Sequence, residues 1–402
     1  MVRVMRLALI CTEKLPVPPI RGGAVQLYID GILPYLSRHH QVSVFSIADP
    51  DLPERESDGV VEHLRMPARS TREYTAAISA TIASERRRFD IIHVFNRPKW
   101  ISQLATDLKA NNTRFTLSLH NDMFTADKIT HDEAEACLRT VSAVAAVSEY
   151  IKGRVLELYP TAGCKIRTVY SGADTDLFRP VWDPDARLLR REVRSRLGIA
   201  EHAPVILSLG RLSPKKGVHV LLDALPLIMR DHPQAALIIV GSKWYGMNES
   251  SPYTARLENA AANFPGHVFF TGFIPPFDVA RYYAAADVFV CASQWAEPLA
   301  RVHYEAMASG LPIITTDRGG NAEVVRGFGT GWIVADARDS AEFARLTSLV
   351  LKHPDQARAM GEIGRKMAEE RFNWRRVAGA VEKLFEDATA GSVIENAGEV
   401  VG

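Results

Sequence analysis

Apolar residues along the chain form short runs that alternate with amphipathic segments. Residues 4–11 are a continuous apolar run, as expected for a parallel strand that is buried on both faces. Apolar positions at helical spacing follow over 25–36, and a polar helix is predicted over 72–88. Further strands are predicted at 41–47, 61–66, 90–95, 115–119, 141–147 and 165–170. Strands that alternate with helices predict a parallel sheet with right-handed crossovers, so the first half is interpreted as one Rossmann-like domain.

The second half repeats this alternation without repeating the sequence. Its predicted strands are 205–209, 236–240, 268–271, 288–291, 312–315 and 332–334. A linker and lead-in helix (181–203) is expected between a first domain (1–180) and a second domain (204–373). A last helix over 374–388 follows the second sheet and is expected to rejoin the first domain. The small and polar segment 389–402 is expected to be a flexible tail.

Composition indicates an ordinary globular protein and excludes few functions. Hydrophobic residues make up 47% of the 402 positions and charged residues 24%, and the net charge of +1 gives no bulk argument for nucleic acid or an anionic membrane. The basic and apolar start of the chain has strand length and lacks a small-residue cleavage site, so a signal peptide is not expected. Four cysteines have no metal-binding or disulfide-framework spacing. We therefore expect a cytoplasmic enzyme with reduced thiols.

The segment 294–316 contains two carboxylates, Glu297 and Glu305, with seven residues between them. Apolar residues between and after them recur at helical spacing, and Gly310 ends the pattern. Pro298 suits a first helical turn, so Glu297 is predicted at the entry of a helix and Glu305 about two turns into it. Such an entry would point backbone N–H groups at an anion. Two glutamates on a helix are more often a solvated face, but the composition around Glu305 is too apolar for one.

Two further segments carry candidate chemistry. Gly210-Arg211 and Lys216-Gly217 follow the first strand of the second half, where doubly wound sheets bind anions, although an ordinary basic turn fits the pattern too. Asp174 and Asp176 form an Asp-x-Asp pair of the kind that can bind a metal. We interpret them as turn and cap residues and predict no metal site.

Taken together, these motifs resemble glycosyltransferase family 4, and the resemblance covers nearly the whole chain. It is carried by Glu-x7-Glu, by the Gly-Arg and Lys-Gly pairs, by the glycine loop Gly22-Gly23, by His120 at a strand end and by the Gly-x-Asp…Phe element at 172–178. The opening Thr-Glu-Lys-Leu-Pro-Val-Pro-Pro at 12–19 is similar to the spore-coat-associated branch of that family. One departure concerns the residues after the first glutamate, where the usual Phe-Gly is Leu299-Ala300 and an apolar position is Arg301.

The resemblance implies an α/β protein of the GT-B fold, with two facing Rossmann-like domains and a nucleotide-sugar cleft between them. The first domain would be the acceptor side and the second would bind the donor. His120 and Glu297 would be the catalytic residues. The implied donor-binding residues are Gly22, Gly23, Arg211, Lys216, Ile274, Leu299, Ala300, Arg301 and Glu305.

The activity implied is that of a retaining, metal-independent glycosyltransferase that uses no cofactor. It would move a hexose from a nucleotide-diphosphate sugar, with a UDP-sugar favoured over a GDP-sugar, to an acceptor that the sequence does not identify (a glycan, a glycolipid or a component of the cell envelope or spore coat). Two alternatives remain open, a non-catalytic coat or scaffold protein that keeps the fold and a sugar-nucleotide epimerase. The arginines of 187–197 suggest peripheral membrane contact only weakly, because such runs are usually solvated.

Overall fold

The computed structural model describes residues 3–109, 112–243 and 251–390, and the chain divides into two compact units. Unit 1 comprises the residues up to Ser171 together with those from Trp374 onward, and unit 2 is Gly172–Asn373. The segment 172–180, which the sequence interpretation gave to the first domain, therefore belongs to unit 2. A Cβ at Gly172 would lie 2.6 Å from the carbonyl oxygen of Phe372, and this close approach fixes the segment there. Most of the expected tail, from residue 391 on, lies outside the described residues.

The described part of unit 1 contains a sheet of eight strands in the order β3-β4-β2-β1-β5-β6-β7-β8. All neighbours are parallel except β3 and β4, which form an antiparallel edge pair. The sequence pattern missed β3 because its three residues are all exposed and show no apolar alternation. The strands are β1 (Arg6–Ile10), β2 (Gln41–Ile47), β3 (Arg55–Ser57), β4 (Val61–Met66), β5 (Ile91–Phe95), β6 (Arg114–Leu119), β7 (Val141–Ala146) and β8 (Ile166–Thr168).

Helices cover both faces of this sheet. Strand β1 shows why, since Leu7 and Leu9 enter one apolar cluster while Ala8 and Ile10 enter the other. The second helix ends at Ser84, four residues before the predicted end, and Arg86 beyond it has a positive φ of 49°. The helices are α1 (Ala24–Leu36), α2 (Thr71–Ser84), α3 (Pro98–Asp107), α4 (His131–Thr140) and α5 (Glu149–Leu158).

Unit 2 has a parallel sheet whose described strands follow the order β11-β10-β9-β12-β13-β14. The strands are β9 (Val205–Leu209), β10 (Ala236–Val240), β11 (Val268–Phe270), β12 (Val288–Cys291), β13 (Ile313–Thr316) and β14 (Gly331–Val334). The helices are α6 (Pro184–Leu197), α7 (Val218–Asp231), α8 (Pro252–Ala261), α9 (Ala280–Ala285), α10 (Val302–Ala308), α11 (Ser340–Lys352) and α12 (Pro354–Glu370). In both units the first strand lies inside the sheet, so the strand order reverses beside it. The carboxyl ends of the parallel strands meet there, at one edge of the sheet.

The last helix, α13 (Trp374–Ala390), belongs to unit 1 and packs on α1. Trp374 lies edge-on to Tyr28 with ring centroids 5.9 Å apart. A Cβ at Gly31 would lie 2.2 Å from the Trp374 ring, so the absence of a side chain at Gly31 lets the indole reach the backbone of α1.

Candidate functional site

The basic loop after β9 is tied to the exit of β12, so two strand ends of unit 2 form one site. Gly217 has a φ of 72°, and a Cβ there would lie 1.8 Å from the carbonyl oxygen of Ala292. The backbone N–H of Gln294 donates to the carbonyl of Lys215 at 2.8 Å. Only glycine permits this approach, which places Lys216 beside the residues that follow β12.

Lys216 and Glu297 form a buried ion pair at this point. The ammonium group contacts Oε1 of Glu297, and the Ser293 hydroxyl donates to the same oxygen at 2.8 Å. Glu297 is only 4% exposed, and its burial raises the pKa of the carboxyl. The charge and hydrogen bond of Lys216, with the Ser293 hydroxyl, outweigh that effect and lower the pKa below 4.5. The neighbouring Lys215 is exposed.

The predicted position of Glu297 at a helix entry is wrong. Helix α10 begins at Val302, and Glu297 instead forms a bridge to Gly319 in the loop after β13. The Gly320 N–H donates to the carbonyl of Glu297 at 2.8 Å, and a Cβ at Gly319 would lie 2.0 Å from that carbonyl oxygen. Backbone pairing with a second glycine loop therefore holds this segment outside the helix. The anion-binding helix entry expected after Glu297 is absent from this described segment.

Glu305 lies in the first turn of α10 rather than two turns into a helix. It is 6% exposed, so the composition argument against a solvated face is confirmed. The Tyr283 hydroxyl donates to Oε2 of Glu305 at 2.9 Å, and Nη2 of Arg301 lies 3.3 Å from Oε1. Arg301, which departs from the family pattern, is thus a neighbour of the second glutamate.

The remaining predicted donor residues of unit 2 differ in how they are placed. Arg211 follows β9 and Ile274 follows β11, and both are half-buried at the carboxyl edge of the sheet. The Leu299 side chain is buried. The backbone N–H of Ala300, one of the implied donor-binding residues, donates to Oδ1 of Asn321 at 3.0 Å and so already has an acceptor.

In unit 1 the glycine loop lies at the carboxyl end of β1. Gly22 and Gly23 have φ values of 87° and 100°, so both positions require glycine. A Cβ at Gly23 would lie 2.3 Å from Oε1 of Gln26. The Gln26 amide donates to Oγ1 of Thr12 and to the carbonyl of Leu15, each at 3.1 Å, and so holds the two ends of the loop together.

His120 lies at the carboxyl end of β6 in the same unit, with its backbone held by Asn96. Oδ1 of Asn96 accepts from the N–H groups of His120 at 2.9 Å and of Asn121 at 3.1 Å. Asn96 is buried and has a positive φ of 59°. The Tyr28 ring, from α1, lies edge-on to the imidazole with centroids 4.6 Å apart. The loop that carries Gly23 and the strand that carries His120 therefore meet through α1.

Two other expectations concern charges outside these sites. The basic helix 187–197 was expected to be a solvated face, yet Arg194 of α6 is 2% exposed. Its guanidinium group donates to Asp287 at 2.8 Å and to the carbonyl of Ala203 at 2.8 Å, so part of the basic run stabilises unit 2. Oδ1 of Asp174 accepts from the N–H groups of Asp176 and Leu177, which confirms Asp174 as a turn residue.

Sequence reasoning missed the residues that hold the candidate side chains in place. Tyr283 and Ser293 donate to the two glutamates, and Asn96 holds the backbone of His120. The position of Asn96 directly after a buried strand was an available signal, since asparagine tolerates a positive φ there. Tyr283 gave none, because a tyrosine in an apolar helix is usually a core residue.

Known proteins resemble this chain over most of its length. The sequence model described as Glycosyl transferases group 1 matches residues 190–367, and the one described as Glycosyltransferase Family 4 matches residues 22–177. Spore coat protein SA of Bacillus subtilis is 42% identical over 95% of this chain and 99% of its own length. A putative glycosyltransferase of the same organism, YtcC, is 41% identical over 95% of this chain and 92% of its own length. A GDP-mannose-dependent mannosyltransferase of Mycolicibacterium smegmatis is 31% identical over 89% and 93%.

Solved structures support the fold. A glycosyltransferase from Rickettsia africae has a TM-score of 0.79 at 22% identity, with 96% of this chain and 99% of that chain covered. Anabaena HepE in complex with UDP-glucose has a TM-score of 0.74 at 21% identity, with 95% and 100% covered. The fold is therefore that of the GT-B glycosyltransferases. Within the described residues, no helix combines the length and apolar character that crossing a bilayer would require.

Proposed function

Because the chain belongs to the group 1 and family 4 glycosyltransferases, we propose that it is a retaining, metal-independent enzyme that transfers a hexose from a nucleotide-diphosphate sugar. The observation that carries the proposal is the pair of buried glutamates at the carboxyl edge of the unit 2 sheet. Glu297 is held by Lys216 and Ser293, and Glu305 by Tyr283 and Arg301. Burying a carboxylate is costly unless it is paired and hydrogen-bonded, and the partners of these two glutamates hold each carboxyl group in a fixed position at the sheet edge.

Each glutamate has a proposed part in donor binding, following the family resemblance. Glu305 would accept hydrogen bonds from the ribose diol, and Glu297 would accept one from a hydroxyl of the transferred sugar. Hydrogen bonds to charged groups of this kind contribute about 1.5–3 kcal/mol each. Ile274 would lie near the nucleotide base, and Leu299 and Ala300 would line the donor.

The cations of unit 2 would stabilise the leaving group. As the bond between the anomeric carbon and the diphosphate oxygen breaks, the bonding electrons go to that oxygen, and negative charge grows on the diphosphate. Arg211 and Lys216 would stabilise this charge, and Arg301 would add a further positive charge nearby. The acceptor hydroxyl would attack the anomeric carbon from the same face and pass its proton to the departing phosphate oxygen. His120 in unit 1 would position the sugar, with Gly22 and Gly23 permitting close backbone approach.

The proposed donor is one kind of nucleotide sugar, whereas the proposed acceptor is a broad class of molecules. We propose a UDP-sugar, supported by HepE, whose solved complexes contain UDP and UDP-glucose. A GDP-sugar is the competing donor, since the mycobacterial relative is named as GDP-mannose-dependent. The acceptor would be a glycan, a glycolipid or a component of the cell envelope or spore coat, the last suggested by the name of the Bacillus subtilis relative.

A binding panel tests the proposal. UDP-, GDP-, ADP- and TDP-sugars would be titrated by calorimetry into the wild-type protein and into Glu305→Gln. We expect one nucleotide to bind and Glu305→Gln to weaken it by about 10- to 100-fold, the loss of one or two charge-assisted hydrogen bonds. Glu258→Gln is the matched control, because this glutamate is exposed on α8 of unit 2 and outside the proposed donor residues, and the variant should bind as the wild type does.

The same panel separates the competing functions. A non-catalytic coat protein that keeps the fold would bind a donor without releasing sugar, either to an acceptor or to water. An epimerase would release the free 2-epimer of the sugar with no acceptor present. Failure of every nucleotide sugar to bind the wild type would refute the proposed function.

A further inference from the structure

Tyr283 lies directly behind the carboxylate of Glu305 and is completely buried. Its hydroxyl donates to Oε2 of Glu305 at 2.9 Å. The ring is held by Phe178, edge-on with centroids 5.5 Å apart, and by Phe289 of β12 at 5.9 Å. A ring fixed by two aromatic neighbours keeps its hydroxyl beside Glu305. The Val302 carbonyl lies 3.4 Å from the same hydroxyl, but the carboxyl oxygen at 2.9 Å is nearer and the better acceptor, so Tyr283 orients Glu305.

The hydrogen-bond capacity of Glu305 then matches a vicinal diol. An ionised carboxylate offers about four acceptor positions on its two oxygens. Tyr283 occupies one position on Oε2 and Arg301 one on Oε1, at 3.3 Å. Within the part of the chain that the structure describes, these two contacts leave one acceptor position on each oxygen, and the side chain keeps 8% of its surface exposed. The two hydroxyl groups of a vicinal diol can each donate to one of these two acceptor positions. A single hydroxyl group would leave one of the Glu305 oxygens without its second donor.

The phenol is a permanent donor in this arrangement. Burial, reinforced by the neighbouring Glu305, raises the pKa of Tyr283 well above its ordinary value of 10.0. The hydroxyl therefore keeps its proton at neutral pH and remains a hydrogen-bond donor to Glu305.

We propose that Tyr283 is a specificity-determining positioning residue, which orients Glu305 so that the site selects ribonucleotide donors over 2′-deoxyribonucleotide donors. This inference rests on the proposed function, because it assumes that Glu305 binds the ribose of the donor. Tyr283 does not itself touch the nucleotide.

The test is the ratio of the dissociation constants of dUDP and UDP, with GDP and its 2′-deoxy form used if guanosine is the base. The wild type should bind the ribonucleotide at least about tenfold more tightly, the effect of one hydrogen bond to a charged group. Tyr283→Phe keeps the packed ring and removes the hydroxyl. It should weaken UDP and leave dUDP nearly unchanged, so that the ratio falls about three- to tenfold. In transfer assays its effect should fall on KM for the donor rather than on kcat.

The matched control is Tyr282→Phe, the neighbouring residue on the same helix. Tyr282 is also buried, but its hydroxyl accepts from Arg196 at 2.8 Å instead of contacting Glu305. This variant should keep the wild-type ratio. Tyr283→4-aminophenylalanine restores a donor of similar size and should restore the ratio; it also tests the proposal if Tyr283→Phe fails to fold.

The outcomes distinguish this inference from the function on which it rests. If Tyr283→Phe weakens UDP and dUDP equally, or changes neither, the hydroxyl has no part in sugar selection and the inference is wrong. That result leaves the proposed function intact as long as Glu305→Gln still weakens UDP. If the wild type binds no nucleoside diphosphate, both the inference and the proposed function are refuted.

Discussion

Replacement of Lys216 by methionine should reverse the way in which Glu297 responds to pH. In the wild-type protein the pKa of Glu297 lies below 4.5, although burial alone would raise it. The ammonium group of Lys216 contacts the carboxylate and is the largest influence that lowers this pKa. In Lys216→Met the carboxyl stays buried with the Ser293 hydroxyl as its main donor. Burial should then dominate and raise the pKa above that of the unfolded chain.

The sign of the stability change follows from this shift. A carboxyl whose folded pKa is lowered stabilises the protein above the unfolded pKa, and this contribution is lost as the pH falls through the folded pKa. A carboxyl whose folded pKa is raised does the opposite, because its contribution is present below the unfolded pKa and is lost as the pH rises. The two proteins should therefore have similar stability near pH 4 and diverge toward pH 7.

The expected difference in the free energy of unfolding between wild type and Lys216→Met follows from the burial of the ion pair between Lys216 and Glu297. Breaking a buried ion pair by removing one partner costs about 3–5 kcal/mol. Lys216 is 22% exposed and Ser293 still donates, so we expect about 2–3 kcal/mol near pH 7, the lower part of that range.

The assay is the thermal unfolding midpoint of wild type, Lys216→Met and Lys215→Met at several pH values between about 4 and 8. Lys215 is the matched control, because it is adjacent and exposed and its ammonium lies over the Trp295 ring at 5.0 Å instead of on Glu297. The double variant Lys216→Met with Glu297→Gln should lose the divergence, since no buried carboxyl remains. A difference between Lys216→Met and wild type that stays constant with pH would refute this reasoning, as would an equal effect of Lys215→Met.

Three further substitutions test the supports of the sites. Asn96→Ala removes the acceptor of the backbone N–H groups of His120 and Asn121. The chain should still fold, but kcat in a transfer assay should fall about tenfold or more, because His120 is no longer held in position. An unchanged kcat would exclude a positioning role for Asn96. Arg194→Ala should lower the free energy of unfolding of unit 2 by about 3 kcal/mol, because it removes one of the donors of Asp287, which keeps Arg190, and leaves the carbonyl of Ala203 without the Arg194 donor. Arg191→Ala on the exposed face should change it by less than about 0.5 kcal/mol. Gly217→Ala should abolish donor binding in calorimetry, because the added Cβ would lie 1.8 Å from the carbonyl oxygen of Ala292 and displace the loop that carries Lys216. Wild-type affinity in that variant would contradict a role of this loop in donor binding.

The fold was largely predictable because both sheets are buried on two faces. Parallel strands buried on both faces are continuous apolar runs, and the bounds of the predicted strands fall within two residues of those in the structure. The exposed edge strand β3 was not predictable, because nothing apolar distinguishes it. The end of α2 was misplaced for a related reason, since arginines have good helix propensity and gave no stop signal before Arg86.

The site was predictable in its residues and less so in its backbone. Spacing and glycine positions indicated Glu297, Glu305 and Lys216, but the periodicity extended the helix back to Pro298. Pairing of Glu297 with the glycine loop at 319–320 overrides that local pattern, and the two segments are more than twenty residues apart in sequence. Supports such as Tyr283 depend on tertiary packing, which no local period can indicate.

The most direct test of the central claim is the configuration of the sugar that the enzyme releases from its donor. The wild-type protein would be incubated with an α-linked UDP-hexose, and the first product would be followed by proton NMR at the anomeric position. We predict that the product, formed with an acceptor or with water, first appears as the α-anomer and that Glu297→Gln slows its formation. A product that first appears as the β-anomer would contradict the retaining mechanism, and bound donor with no released sugar would contradict the claim that this chain is an active transferase.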